Sequence, residues 1–214
     1  MQSAVPEGVG AMAAVLGLDD AAVRAVCAEA AQGEILEAVN FNSPGQVVIA
    51  GHRAAVDRGC ALAKEKGAKR ALPLPVSVPS HCALMKPAAE KLLAALAGIE
   101  VKSPVVPVLH NADVAGHADP AAIRDALARQ LYSPVRWVET IQAMAAGGVE
   151  LIAECGPGKV LAGLNKRIVD GGTGVALADA AAVADILAKN PDARLIPIRL
   201  STTGVQVWRT PGLW

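Results

Sequence analysis

An α/β fold is predicted by three features of these 214 residues. Hydrophobic residues make up 53% of the chain and aromatics only 2%, so the core is built from small aliphatic side chains suited to helices laid closely on a sheet. Residues 8–76 read in the order β-α-β-β-α-β, with Gly and Pro at the turns. Residues 77–190 then alternate strand-like runs with amphipathic stretches.

The first unit can be justified piece by piece. GVGAMAAVLG (8–17) is an apolar run closed by Gly17 and predicts a strand. After it, Leu18, Ala22, Val26 and Ala30 recur at four-residue spacing, and Asp19 and Asp20 stand where a helix is capped. EILEAVNFN (34–42) and QVVIAG (46–51) flank a Ser43-Pro44-Gly45 turn, a strand-turn-strand pattern. HRAAVDRGCALAKEKG supplies a second helix ending at Gly67, and AKRALPLPV (68–76) a fourth extended segment. Such a split βαβ unit makes an antiparallel sheet with two helices on one face. Pro73 and Pro75 fit only an edge or departing strand.

Beyond it, KPAAEKLLAALAG predicts a helix with Leu92, Leu93 and Leu96 on its apolar side. Pro104 and Pro107 flank a predicted strand within SPVVPVLHNADV (103–114). It ends at His110 and Asn111, polar groups at a carboxyl end, where open α/β sheets place their sites. Asp119 followed by Pro120 opens a helix over 119–133, and Val138, Ile141 and Met144 mark another. A buried strand at 149–155, a Gly156-Pro157-Gly158 turn, a helix, a break at Gly171–Gly174, a strand in VALAD and a helix in AAAVADILAKN complete the core. Three strands with five helices leave apolar surface exposed, and the small unit begins almost at residue 1. The arithmetic points to a fragment.

Charge and composition exclude several functions. Twenty Lys+Arg balance 20 Asp+Glu, which argues against a nucleic-acid binder, since that function needs a field of basic side chains. Apolar runs stop well short of the ~20 residues of a membrane helix, and the start has no basic leader, so the chain reads as soluble and cytoplasmic, with no membrane partner. Cys27, Cys60, Cys82 and Cys155 form no CxxC pair and read as free thiols in a reducing compartment. His52, His81, His110 and His117 are too dispersed for a zinc signature, so no metal is expected.

The sharpest chemical feature is Pro79-Ser80-His81-Cys82. His81 in a polar turn is either a general base, able to lift a proton from a hydroxyl and return it to a leaving thiolate, or a surface or capping His. Ser80 reads as a cap rather than a nucleophile, and Cys82 as a small buried hydrophobe or, less simply, the nucleophile of a pair with His81. No G-x-S-x-G elbow occurs, and GPGKVLAG (156–163) lacks Walker spacing; it turns the chain into a helix whose first N–H groups could meet an anion. His52 and His117 read as solvated, while His110 and Asn111 either line a site or do not. KEKGAKR (64–70) is a solvated face or a basic patch for an acidic protein.

Several of these segments together resemble bacterial malonyl-CoA:acyl carrier protein transacylase, the FabD type of acyltransferase. They are AVPEGVGAMAAVLGLDD, AVNFNSPGQVVIAGH, GAKRALPLPVSVPSHCALMKPAAEKL, HNADV, IRDALARQLYSPVRW and ECGPGKVLAGLNKRI, in family order from Met1 to about Asn190. The resemblance implies an enzyme that moves a malonyl group from malonyl-CoA, its substrate, to the phosphopantetheine thiol of acyl carrier protein through an acyl-serine, with no tightly bound cofactor. His81 matches the family's catalytic histidine. Gln130 matches the residue whose main-chain carbonyl orients that imidazole, and Asn42 and Asn111 lie in segments that approach the cleft.

The same resemblance divides the chain. Residues 1–7 correspond to a residual connection, 8–76 to a ferredoxin-like small subdomain, and 77–190 to the C-terminal portion of an α/β-hydrolase-like large subdomain. PDARLIPIRLSTTGVQVWRTPGLW (191–214) has no counterpart and reads as an extraneous terminus or as an added strand on an exposed edge. The family's serine elbow, its early Gln and its carboxylate-binding Arg have no match here. An N-terminal truncation, a split gene whose partner supplies that segment, or a non-catalytic remnant that binds acyl carrier protein or another subunit would each account for this.

Overall fold

The computed structural model describes residues 1–156, 158–170, 173–190, 198–201 and 204–207. Its first unit runs β1 (Gly10–Leu16), α1 (Asp20–Ala31), β2 (Leu36–Ser43), β3 (Gln46–His52), α2 (Arg53–Glu65) and β4 (Arg70–Pro73). This is the β-α-β-β-α-β order that the sequence predicts. The strands form one antiparallel sheet in the order β2-β3-β1-β4. β4 is an edge and ends at Pro73, so the missing proline N–H costs the ladder nothing inside the sheet. The expected extended run over 68–76 is therefore shorter than its sequence.

Strand alternation builds a core on each face of this sheet. Ala11, Ala13, Val15, Val47 and Ile49 point to one side, where Val23, Val26 and Ala30 of α1 and Ala55, Val56 and Ala63 of α2 cover them. Small side chains let both helices sit close. Asp19 accepts the Ala22 N–H at 2.7 Å and caps α1. Met12, Val48 and Ala50 point to the opposite side, where they meet Val39 and Cys82. A register shift between Ala38 and Asn40 of β2 changes which residues face which side. Ala38 and Phe41 both lie in the helix-side core as a result. A second register shift, between Phe41 and Ser43, falls at Asn42.

A single 3-10 turn (Ala83–Met85) leads into α3 (Lys86–Ala97), and then come β5 (Leu109–His110), β6 (Ala115–Gly116), α4 (Pro120–Arg129) and α5 (Trp137–Ala146). β7 (Leu151–Cys155), α6 (Val160–Asn165), β8 (Thr173–Leu177) and α7 (Ala180–Lys189) follow, with β7 parallel to β8. Asp119 caps α4 and Asp179 caps α7 by accepting the N–H of the third residue on, each at 2.8 Å. The turn expected at Gly156-Pro157-Gly158 includes Pro157, outside the described residues.

Several expectations fail here, among them the buried strand at 149–155: β7 begins at Leu151 and none of its residues is buried. The strand within 103–114 shrinks to a two-residue hairpin with β6, because Pro104 and Pro107 remove ladder donors, and Val105 and Val106 are left 74% and 66% exposed. On α3 the buried side chains are Ala88 and Ala89, whereas Leu93 is 45% exposed. The break at Gly171–Gly174 ends earlier than expected, since Thr173 and Gly174 already belong to β8. Within the tail, β9 (Ile198–Ser201) and β10 (Gly204–Val207) pair with each other. Among the described residues they join no other sheet, so no added strand covers an edge of the small unit.

Candidate active site

The turn bearing His81 is held against the small sheet by its neighbours. Pro79 is fully buried, and a Cβ at Gly10 would lie 2.4 Å from its ring, so only glycine at the start of β1 admits this contact. Cys82 is fully buried on the sheet face, and its Sγ–H donates to the Pro79 carbonyl at 3.2 Å. Burial pushes its thiol up to about 11, which makes it an inert packing group and disposes of a Cys82-His81 nucleophilic pair. Ser80 caps neither the 3-10 turn, whose N-cap is Cys82, nor α3, whose N-cap is Met85.

Between these anchors His81 adopts φ 67°, the left-handed region that disfavours side chains with a Cβ. Two successive carbonyls hold it there. The His81 N–H donates to the Leu131 oxygen at 3.0 Å, and Nδ1 lies 2.8 Å from the Gln130 oxygen. A carbonyl can only accept, so Nδ1 carries the ring proton and Nε2 of the neutral imidazole is left with a free lone pair. Gln130 is the C-cap of α4, and its carbonyl lies past the helix's own hydrogen bonds. The negative end of the helix dipole therefore meets the imidazole N–H.

The connection from Gln130 to Arg136 also reaches the other predicted positions. Val135 bridges the outer edge of β2, accepting from Phe41 N–H at 3.0 Å and donating to the Val39 oxygen at 2.8 Å. Asn42 is one residue beyond Phe41 and half-buried. The Arg136 N–H donates to the Asn111 oxygen at 3.3 Å. One irregular segment thus connects His81, Gln130, the β2 edge beside Asn42, and Asn111. Asn111 contributes its backbone to this contact.

Two histidines expected to be solvated are not. His52 Nδ1 accepts the Ile35 N–H at 3.0 Å and secures the start of β2. His117 Nε2 lies 2.9 Å from Asp113 Oδ2, and its ring is 5.2 Å from that of His110, which is only 7% exposed. Arg129 reaches the same Asp113 oxygen at 2.8 Å. Burial by itself would raise the Asp113 carboxyl, but hydrogen bonds from Arg129 and His117, the His117 charge and the Ala115 N–H hold it down at about 2. This cluster escaped the sequence reading because Asp113, His117 and Arg129 meet only after the 109–116 hairpin folds back on α4. Its one local signal was an Asp and a His four residues apart. Among the described residues no group of His, Cys, Asp and Glu could hold a metal ion, and no helix is long and apolar enough to cross a membrane.

Residues 1–206 match the acyl transferase domain model. The chain belongs to this acyltransferase family. The family match continues past residue 190 into the tail. The acyltransferase chain is 62% identical over 187 residues to the malonyl CoA-acyl carrier protein transacylase of Escherichia coli K12, covering 87% of this chain and 60% of that protein. A crystal structure of an acyl carrier protein S-malonyltransferase from Vibrio cholerae is 60% identical, with a TM-score of 0.86 over 87% of this chain and 61% of that one. A malonyl-transacylase solved in complex with the acyl-carrier protein of a type II PKS is 54% identical, with a TM-score of 0.86 over 88% of this chain and 61% of that one. The chain spans about 60% of the length of the curated relatives it matches. The likeness extends to their two-subdomain α/β architecture.

Proposed function

We propose that this chain supplies the acid–base half of a malonyl-CoA:acyl carrier protein transacylase, with His81 as the catalytic base and the Gln130 carbonyl as its orienter. The carrying observation is the 2.8 Å contact between Nδ1 and the Gln130 oxygen, which leaves Nε2 as the proton acceptor. In the first half-reaction Nε2 takes the proton of a serine hydroxyl as that oxygen attacks the malonyl thioester carbon. The carbon–sulfur bond breaks, and the departing coenzyme A thiolate receives the proton. In the second, the phosphopantetheine thiol of acyl carrier protein attacks the acyl-serine, and Nε2 moves the thiol proton to the released serine oxygen. Nδ1 keeps its proton throughout. The imidazolium formed in each step faces a carbonyl at a helix C-terminus, a partial negative charge in the place of a carboxylate.

On this reading residues 8–76 are the small subdomain, 77–190 the C-terminal portion of the large one, 1–7 a residual connection to the missing segment of the large one and 191–214 a tail. Asn42 and Asn111 border the cleft. Acyl carrier protein and a coenzyme A thioester are the partners, a reading supported by the similar malonyl-transacylase in complex with an acyl-carrier protein and by the malonyl CoA-acyl carrier protein transacylase of Escherichia coli. These 214 residues contain no G-x-S-x-G elbow, so by themselves they should form no acyl-enzyme. With radiolabelled malonyl-CoA and holo acyl carrier protein, the isolated chain is expected to take up no label. A stoichiometric adduct that depends on His81 would overturn this and direct attention to Ser80. A chimera joining the preceding segment of the Escherichia coli relative to Met1 should transfer malonyl groups, and His81→Ala should cost it about 10²–10⁴-fold in kcat. A chimera indifferent to His81→Ala would remove His81 from the mechanism. A chimera that binds acyl carrier protein without transfer would favour the non-catalytic remnant.

A further inference from the structure

We infer that Asp113 and Arg129 are positioning residues for His81: they clamp the end of α4 to the β5–β6 turn and so hold the Gln130 carbonyl in line with Nδ1. The inference rests on the reading of His81 as the base. Arg129 immediately precedes Gln130, and its guanidinium donates through Nη2 to Asp113 at 2.8 Å and through Nε to Asp125 at 2.6 Å. Asp125 lies on α4 itself and can only stiffen the helix. Asp113 lies across a gap in sequence, on the turn between β5 and β6, and ties the helix to something else.

That turn is built to receive it. Asp113 Oδ2 accepts from both Arg129 and His117, while Oδ1 accepts the Ala115 N–H at 3.3 Å. Val114 takes φ 57°, which folds the backbone around the carboxylate. The buried ring of His110 stands beside His117. A single exposed ion pair would be worth little, but this carboxylate gathers three donors on a turn with both partners more than half-buried. The same hairpin also holds the far end of the connection, through the Arg136 N–H on the Asn111 oxygen. The Gln130 and Leu131 carbonyls that meet His81 lie between these two anchors. The connection has no helix or strand of its own, and its bridge to β2 at Val135 lies four residues beyond Leu131, so the direction of the Gln130 carbonyl depends on how the Arg129 end is fixed.

The test reads the ring directly and needs no nucleophile. Long-range proton–nitrogen spectra of the ¹⁵N-labelled chain, recorded where the imidazole is neutral and assigned with His81→Gln, report which ring nitrogen carries the proton. In the unsubstituted chain His81 is expected as the Nδ1–H form, with its two nitrogens well separated. Asp113→Ala should lose that separation as the tautomers mix, and Asp113→Asn, which keeps the side-chain shape, should lose part of it. Asp119→Ala removes the α4 N-cap and lowers stability without touching the clamp, so it should leave the ring signals in place. Should Asp113→Ala fail to fold, Asp113→Asn decides. An Nδ1–H ring that persists in both Asp113 variants, or that is lost equally in Asp119→Ala, overturns the inference alone. An unsubstituted ring with no preference for Nδ1–H would instead refute the site geometry on which the proposed function depends.

Discussion

The small four-stranded unit and the region after it use similar side chains to different effect. In the first, both faces of the sheet are covered, and Ala13, Val15, Val47 and Ile49 are fully buried among residues the unit itself supplies or receives from the 79–85 turn. In the second, the strands pair two by two, and Leu93, Ile99, Val105 and Val106 are among its exposed side chains. The site falls where they meet: the sheet carries the Cys82 anchor, and the second region brings the carbonyls that orient His81. The first region gives the site its rigidity and the second its chemistry. Stability and function should therefore respond to substitutions in different places.

The largest test of that contrast pairs two aliphatic truncations. Ile49→Ala removes a fully buried side chain from the helix-side core and should cost about 2–5 kcal/mol. Leu93→Ala removes one that is 45% exposed on α3 and should change stability by no more than about 0.5 kcal/mol. Urea midpoints of the two variants measure both. Similar losses would mean that the second region is as tightly packed as the first.

Legibility in the sequence followed the same division. The β-α-β-β-α-β order was readable because Gly17, Ser43-Pro44-Gly45 and Gly67 punctuated its turns, and because β1 and β3 each ran into an amphipathic helix. The bulge in β2 was not, since nothing in LEAVNFNS reveals that pairing with β3 will slip at Asn40. His81 stood out as a residue type in a polar turn, and family resemblance linked it to Gln130. The left-handed backbone at His81 and the clamp at Asp113 depend on contacts between segments far apart in the chain. Val105 and Val106 misled for a related reason: β propensity describes a side chain that fits a pleated surface, and the flanking prolines deny them one.

The strained backbone of His81 supplies a smaller test, at the junction of the two regions. At φ 67° a Cβ is unfavourable by about 1–2 kcal/mol, and glycine is not penalised. His81→Gly should therefore be more stable than His81→Ala by about 1 kcal/mol, a difference readable in thermal midpoints. The N–H bond to the Leu131 oxygen is available to both variants, which isolates the backbone term. Equal stability would show that the turn relaxes freely once the imidazole is gone. The second region would then be holding the ring and not the chain.

Acid should act on the second region before the first, and with the smallest effect. The Asp113 carboxyl is held down from 3.8 to about 2, so the unfolded chain binds its proton at higher pH than the folded one. Its contribution is then fully present above about pH 4 and is lost as pH falls toward about 2. His117 and Arg129 are the ionisable groups that face it, and the Arg129 guanidinium stays charged across that window, so protonating Asp113 leaves it with a neutral acceptor. The Ala115 amide, which donates to this carboxylate, should titrate with a midpoint near 2 in proton–nitrogen spectra, while the Val48 and Ile49 amides in the covered sheet stay put. Asp113→Asn should abolish that titration and leave the sheet signals unchanged. Movement of Val48 and Ile49 together with Ala115 would mean that the two regions open as one unit, and the contrast between a self-sufficient sheet and a clamped second region would fail.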